Sequence, residues 1–248
     1  MSRIVSWFSC GAASAVATKL ALADHGDVTI AYCEVIEEHP DNKRFLADCE
    51  VWFGQPITIL RNEKYGASIY EVFRKTRYLV GPDGARCTLE LKKALRKEFQ
   101  RSDDIQIFGY TAEEQVRLDS LIDANNGIHV VAPLIERGLM KADCLAMIER
   151  AGIELPAMYR LGYANNNCIG CVKGGAWYWN KIRVDFPLVF RRMSDMEQEL
   201  GRAICKPTID GVRALVPLRD LPLDAGRHDD QPAQCGFMCE MAEQEYAA

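Results

Sequence analysis

Ile4-Val5-Ser6-Trp7-Phe8, followed by Ser9-Cys10-Gly11-Ala12-Ala13-Ser14 and an alanine-rich stretch that stops near Gly26, decides the fold. A short apolar run, a turn of small residues and a helix pattern predict a buried strand feeding a helix through a tight loop. The same alternation continues outward. Strands are predicted at 28–32, 57–60, 105–108 and 129–132. Helices are predicted at 41–53, 68–77, 88–99, 112–123 and 141–150. Short strands alternating with helices predict βαβ units, hence an α/β fold with a doubly wound parallel five-stranded sheet. In such sheets ligands sit beyond the carboxyl ends of the strands, so the loops after Phe8, Tyr32 and Phe108 are expected to hold the site.

Beyond Ala151 the alternation stops. One or two helices are predicted over 177–201, broken near Pro187, and 207–232 contains four prolines and little periodicity. The reading is an α/β domain over 1–152 and a helical and irregular, cysteine-bearing lobe and tail over 153–248. Lys and Arg number 30 against 35 Asp and Glu, for a net charge of −5, which argues against a general nucleic-acid coat. From Asp195 onward there are 11 acidic and 5 basic residues, so the negative charge is in the tail. No apolar run approaches the roughly 18 residues of a membrane span, and the start lacks a signal-peptide pattern. A cytoplasmic protein is expected, and its 10 cysteines then read as thiols, metal ligands or redox groups rather than structural disulfides.

The turn from Ser9 to Ser14 has the chemistry of an anion cradle. Gly11 admits close backbone approach, Ser9 and Ser14 carry hydroxyls, and a helix N-terminus offers unpaired N–H groups to a phosphate. A plain strand-to-helix turn would use the same small residues. It is no Walker loop, since the Gly-Lys-Ser/Thr ending is missing. Ser9, Gly11 and Ser14 resemble the phosphate loop of the adenine nucleotide α-hydrolase superfamily, which includes N-type ATP pyrophosphatases and the PAPS/APS sulfonucleotide reductases. Pyrophosphatases carry an acid where this chain has Ala13, and Gly11 to Val16 is closer to the reductase form. Pro40, the stretch from Phe108 to Glu114 with Arg117, the segment Pro133-Leu134-Ile135 and the run Leu155 to Tyr163 extend the resemblance over about Ile4 to Trp179. Thr111 stands where the family has a basic residue. The resemblance implies an adenine nucleotide (PAPS, APS or ATP) on Ser9, Cys10, Gly11, Ala12, Ala13, Ser14, Gly109 and Arg117. Magnesium is expected only if ATP is cleaved. Cys10 is read as a small residue facing the ligand.

Cys168-Ile169-Gly170-Cys171 is the strongest local chemical signal: two thiols at that spacing clasp a metal or cluster, or form a redox pair. Eighty residues lie between Cys87 and Cys168. Cluster-bearing reductases have Cys-Cys at a comparable distance before their Cys-x-x-Cys; here Arg86-Cys87 stands in that place, with Lys92 and Lys93 just beyond. The resemblance implies a [4Fe–4S] cluster on Cys87, Cys168 and Cys171, with Cys205, Cys235, Cys239 or an external ligand completing it; zinc suits the same thiols. Near the end, Cys235-Gly236 resembles the reductases' terminal pair, whose thiol attacks the sulfonucleotide sulfur, so Cys235 is the catalytic candidate and a thioredoxin-like dithiol its reductant. Cys33, Cys49 and Cys144 fall in apolar patterns and read as core thiols. The aromatic run Trp177 to Trp179 reads as core, and the basic stretch from Lys173 to Arg192 as a solvated helix face.

The leading expectation is a sulfonucleotide-reductase-like enzyme with a nucleotide as its small-molecule partner. Cluster-dependent thiolation of a nucleobase, with ATP and RNA as partners, is the enzyme alternative. Ala13 and Thr111 keep a third class open, a nucleotide sensor without turnover.

Overall fold

The structure is a computed structural model that describes residues 2–82, 84–125, 127–209 and 211–227. Five strands form an all-parallel sheet: β1 (Ile4–Trp7), β2 (Thr29–Cys33), β3 (Thr58–Leu60), β4 (Ile105–Ile107) and β5 (His129–Val131), in the order β3-β2-β1-β4-β5. Val5 pairs with Thr29 on one side of β1 and with Gln106 on the other. The chain winds outward from β1 to β3, then crosses back to β4 on the opposite side of β1. The connections at the carboxyl ends of β1 and β4 therefore diverge and open a crevice between them.

Helices cover both faces, as a parallel sheet requires. On one face α1 (Ala12–His25) packs against α6 (Lys141–Arg150), with α2 (Asn42–Phe53) beside it. Their small residues Ala12, Ala15 and Val16 let α1 approach Phe8, Ile30 and Phe45 closely. On the other face Val5, Trp7, Ala31 and Cys33 meet Phe108 and Leu121, the latter from α5 (Gln115–Ala124). Buried polar groups within the sheet layers are paired: Ser6 with Thr18 at 2.8 Å, and the Trp7 indole N–H to Gln106 at 3.1 Å.

Residues beyond Gly152 build a second core. It gathers Met158, Trp179, Ile182, Met193 and Leu218 with Tyr70, Phe73 and Leu91 from the central part of the chain. Those last three lie on α3 (Ile69–Thr76) and on a helix over 86–99, α4, whose middle turn, Leu89–Lys93, is π-type. The predicted break at Pro187 is present: α7 (Ala176–Asp185) ends and α8 (Pro187–Leu200) begins with Pro187 in its first turn. Past Leu200 the chain is largely irregular as far as it is described, as the proline content leads one to expect. No helix among the described residues is long and apolar enough to cross a membrane.

Candidate functional site

A cleft of about 150 Å³ opens at the carboxyl ends of β1 and β4. Ser9, Gly11, Ala13 and Ser14 form one wall, Phe108 to Thr111 the second, and Lys92, Lys141, Tyr159 and Asn165 to Asn167 the rim. The sequence places the first wall there by ending β1 just before a run of small residues. Gly11 is the helix N-cap and offers no side chain to the first turn of α1. The opening N–H groups of that helix, which have no intrahelical acceptor, thus face the cleft with the positive end of the helix dipole.

The loop is held shut by its own hydroxyls. Ser14 Oγ accepts from the Ser9 N–H and the Ser9 hydroxyl, both at 3.0 Å, and donates to the Gly11 carbonyl at 2.9 Å. Ser9 and Ser14 were expected to offer hydroxyls to a ligand; they spend these bonds on each other, leaving the backbone as the main donor. Gly109 closes the opposite side. A Cβ there would sit 2.7 Å from Ser14 Cα and 2.8 Å from Ser14 N, so only glycine lets the end of β4 lie against the start of α1. Tyr159 reaches the loop from the rim. Its hydroxyl accepts the Ala12 N–H at 3.4 Å, and burial pushes its pKa up to about 12, so it stays a neutral phenol.

Cys10 departs from its expected role. Its backbone adopts φ = 59°, which turns the side chain away from the cleft and into the core beneath the loop. The thiol contacts the Asn42 carbonyl at 3.4 Å, and burial and the Glu38 carboxylate raise its pKa far above the ordinary thiol range. It is an inert packing group. Cys33 and Cys144 are buried as expected, both pushed up to about 12 by desolvation, and Cys49 is buried with them.

The loop after β2 was expected to line the site, and it does not. Glu38 turns inward and anchors a buried network under the Ser9–Ser14 loop. Tyr32 donates to its carboxylate at 2.7 Å and Asn42 at 2.9 Å, and Lys92 Nζ lies 3.6 Å away. Asn166 donates to Asn42 Oδ1 at 2.9 Å and to the Cys10 carbonyl at 2.6 Å. The π-type turn of α4 brings Lys92 to both Glu38 and the cleft. Of the other expected residues, Arg117 lines the cleft and pairs with Glu114, its guanidinium 5.3 Å above the centre of the Tyr110 ring. Thr111 caps the following turn through Glu114. Lys141, Tyr159 and the Asn165 to Asn167 run were not singled out as site residues from the sequence. Tyr159 lies in the run Leu155 to Tyr163 that carries part of the resemblance, and the three asparagines before Cys168 offered a second signal, as polar residues next to buried thiols.

The thiols proposed as cluster ligands lie in and around the second core. Cys168 is buried in it with Cys205, Cys87 packs against it, and Cys171 is also buried. The Cys168–Cys171 turn is built by one side chain. Tyr178 Oη accepts the Gly170 and Cys171 N–H groups, both at 2.9 Å, and donates to the Cys168 carbonyl at 3.2 Å. Gly170 takes φ = 77° with Val189 and Trp179 packed against it. The Ile169 N–H donates to the Glu37 carbonyl at 2.9 Å, tying this turn to the loop after β2. Soft thiol donors in a buried turn suit iron–sulfur or zinc chemically. Among the described residues, however, no three His, Cys, Asp or Glu side chains gather in a group that could hold a metal ion. Cys235 and Cys239 lie outside the described residues.

The basic stretch is largely committed within the lobe. Lys181 pairs with Asp185 at 2.7 Å, Arg183 donates to the Leu218 and Leu221 carbonyls, and Arg192 stacks 3.7 Å over the Tyr70 ring centre.

No family model matches the chain, and no curated protein does. Among solved structures, the fold is similar to that of phosphoadenylyl-sulfate (PAPS) reductase from Candida auris in its phosphate complex. The two are 13% identical, with 66% of this chain and 79% of that chain covered and a TM-score of 0.47. An identity that low assigns no residue a role.

Proposed function

We propose that the chain binds an adenine nucleotide across this cleft and acts as a sulfonucleotide-reductase-like enzyme. The observation that carries the reading is the open N-terminus of α1 at the sheet's switch point, closed from the far side by Gly109 and rimmed by Lys92, Arg117 and Lys141. Backbone N–H groups and basic side chains suit a phosphate, and the flanking Trp7, Phe108 and Tyr110 suit a purine. Ala13 puts a methyl group on the wall where the pyrophosphatase relatives carry an acid, which favours sulfonucleotide binding over magnesium-assisted ATP cleavage.

In this reading the Cys235 thiolate attacks the sulfonate sulfur of PAPS or APS. A sulfur–sulfur bond forms as the sulfur–oxygen bond to the nucleotide phosphate breaks, and the electron pair leaves on the phosphate oxygen. An external dithiol of the thioredoxin kind then attacks the Cys235 sulfur and releases sulfite. Its second thiol frees Cys235, and the reductant departs as a disulfide. Cys87, Cys168 and Cys171 are the candidate ligands of a [4Fe–4S] cluster, which when bound would supply an iron–sulfur centre for sulfur chemistry. No step above runs through it.

The test is to incubate anaerobically prepared protein separately with ATP, APS and PAPS. Sulfite that appears only with a dithiol, and disappears in Cys235→Ser while nucleotide still binds, supports the reductase. AMP with pyrophosphate from ATP overturns it in favour of the thiolase reading, and tight binding without products in favour of a sensor.

A further inference from the structure

We propose that Asn166 is a specificity-determining residue of the cleft, its side-chain oxygen accepting a hydrogen bond from a sugar hydroxyl of the bound nucleotide. The inference rests on the nucleotide reading above and goes beyond it, since it concerns the sugar and not the anionic end of the ligand.

Asn166 is 7% exposed and lines the cleft. Its amide sits only one way round. The nitrogen donates at 2.6 Å to the Cys10 carbonyl, which can only accept, and at 2.9 Å to Asn42 Oδ1. Asn42 in turn gives its own nitrogen to the Glu38 carboxylate at 2.9 Å, so every link of the chain runs in the same direction. The main-chain N–H of Asn166 donates to the Tyr159 hydroxyl, which pins the residue from a second side. What remains is the side-chain oxygen. It is buried and has no donor among the described residues. The amide is planar and its nitrogen is spent on groups beneath the Ser9–Ser14 loop, so the oxygen is the end left for the cleft. A buried acceptor without a donor is costly to the fold, and a ligand that brings a donor removes that cost.

The chemistry of the atom selects its partner. A neutral amide oxygen repels a phosphate or sulfate oxygen and requires an N–H or O–H. Within a nucleotide the neutral donors are the sugar hydroxyls and the amino group of the base. Position decides between them. The 2.6 Å bond and the width of an amide group put the oxygen within about 5 Å of the Cys10 carbonyl oxygen. That carbonyl belongs to the loop proposed to hold the phosphate, and the sugar is the part of a nucleotide joined directly to its phosphate. The amino group lies on the far side of the base. A sugar hydroxyl therefore fits the oxygen, and the amine does not.

Calorimetric titration of the full chain tests this with AMP, 2′-deoxy-AMP, 3′-deoxy-AMP and the 5′-monophosphate of purine riboside, which lacks the amine. Wild-type protein is expected to bind AMP at least about fivefold more tightly than one of the two deoxy compounds, and the compound that loses affinity identifies the hydroxyl. Asn166→Ala should bring AMP and that compound to within about twofold of each other. The substitution also removes contacts to the loop, so the ratio is the readout and not either affinity alone. Wild-type protein that binds AMP and both deoxy compounds alike overturns the assignment and leaves the nucleotide reading intact, whether or not the variant folds. A preference for AMP that survives in Asn166→Ala overturns it too. A loss confined to the purine riboside compound gives the oxygen to the base and overturns the sugar contact. If no nucleotide binds, but ribose 5-phosphate binds more tightly than 2-deoxyribose 5-phosphate in an Asn166-dependent way, the contact stands and the nucleotide reading falls. If nothing binds, both fall.

Discussion

The Ser9–Ser14 loop and the Cys168–Cys171 turn are both tight, glycine-containing and buried at their base, yet they are built in opposite ways. The loop is positioned by backbone: the ends of β1 and β4 fall side by side through strand register, Gly109 lets them touch, and Ser14 ties the loop to itself. The turn is positioned by side chains from elsewhere, with the Tyr178 hydroxyl serving three backbone groups and Val189 and Trp179 filling the space at Gly170. A backbone-built site tolerates change in most of its side chains. A side-chain-built one fails with a single distant substitution.

The sharpest way to break that contrast is Gly109→Val. The new side chain would collide with the backbone of α1's first turn, and overpacking of this kind costs about 1–3 kcal/mol. Nucleotide affinity should fall at least about a hundredfold by calorimetry, whereas Gly175→Ala, where a Cβ meets nothing within 4 Å, should leave it unchanged. Cys168→Ser addresses the other region. A cluster held by these thiols would give anaerobically purified wild-type protein about four irons per chain, and the variant would lose most of that iron while binding nucleotide normally. Stoichiometric zinc in the wild type would remove the cluster from the reading. Tyr178→Phe should cost about 2 kcal/mol in denaturant unfolding, because the Gly170 and Cys171 N–H groups lose their acceptor inside the core. An unchanged midpoint would show that the turn holds without its phenol.

The smallest effect concerns the contact between the start of α2 and the chain at Ala157. Asp41 accepts from Arg44 at 2.8 Å and from the Ala157 N–H at 2.8 Å, and Arg44 above all holds its pKa down to about 2. A carboxylate whose folded pKa lies below its unfolded value near 3.9 stabilises the fold fully above about pH 5. The contribution, about 1 kcal/mol after solvent screening, is lost as pH falls from there towards 2. Asp41→Asn should be less stable at pH 7 by that amount and show a flatter acid limb in urea unfolding.

The sheet was legible because Ile4 to Phe8 and its four sister strands are short apolar runs between helix patterns, the inner strands β1 and β2 being buried on both faces. The loop was legible as a loop, since only small residues fit between β1 and α1. What Cys10 would face was not, because its positive φ reverses the expected direction and no side-chain pattern announces that. The loop after β2 misled for a related reason: it was expected to hold the site, and no pattern announces that Glu38 turns inward onto Tyr32, Asn42 and Lys92. Lys141 opens an ordinary amphipathic helix. Its place in the cleft follows from how α6 packs on α1, information that only the assembled fold contains.

The Ser9–Ser14 bond has a thermodynamic corollary. A loop that must be gathered around its ligand gives up chain freedom on binding, and binding is then slow and entropically opposed. Here the Ser14 hydroxyl has already frozen the loop. A phosphate bound as proposed would displace water from preset N–H groups and order almost nothing. Association at this wall should therefore be fast, with a favourable enthalpy and little conformational penalty, and differences in affinity between ligands should reside in how quickly they leave.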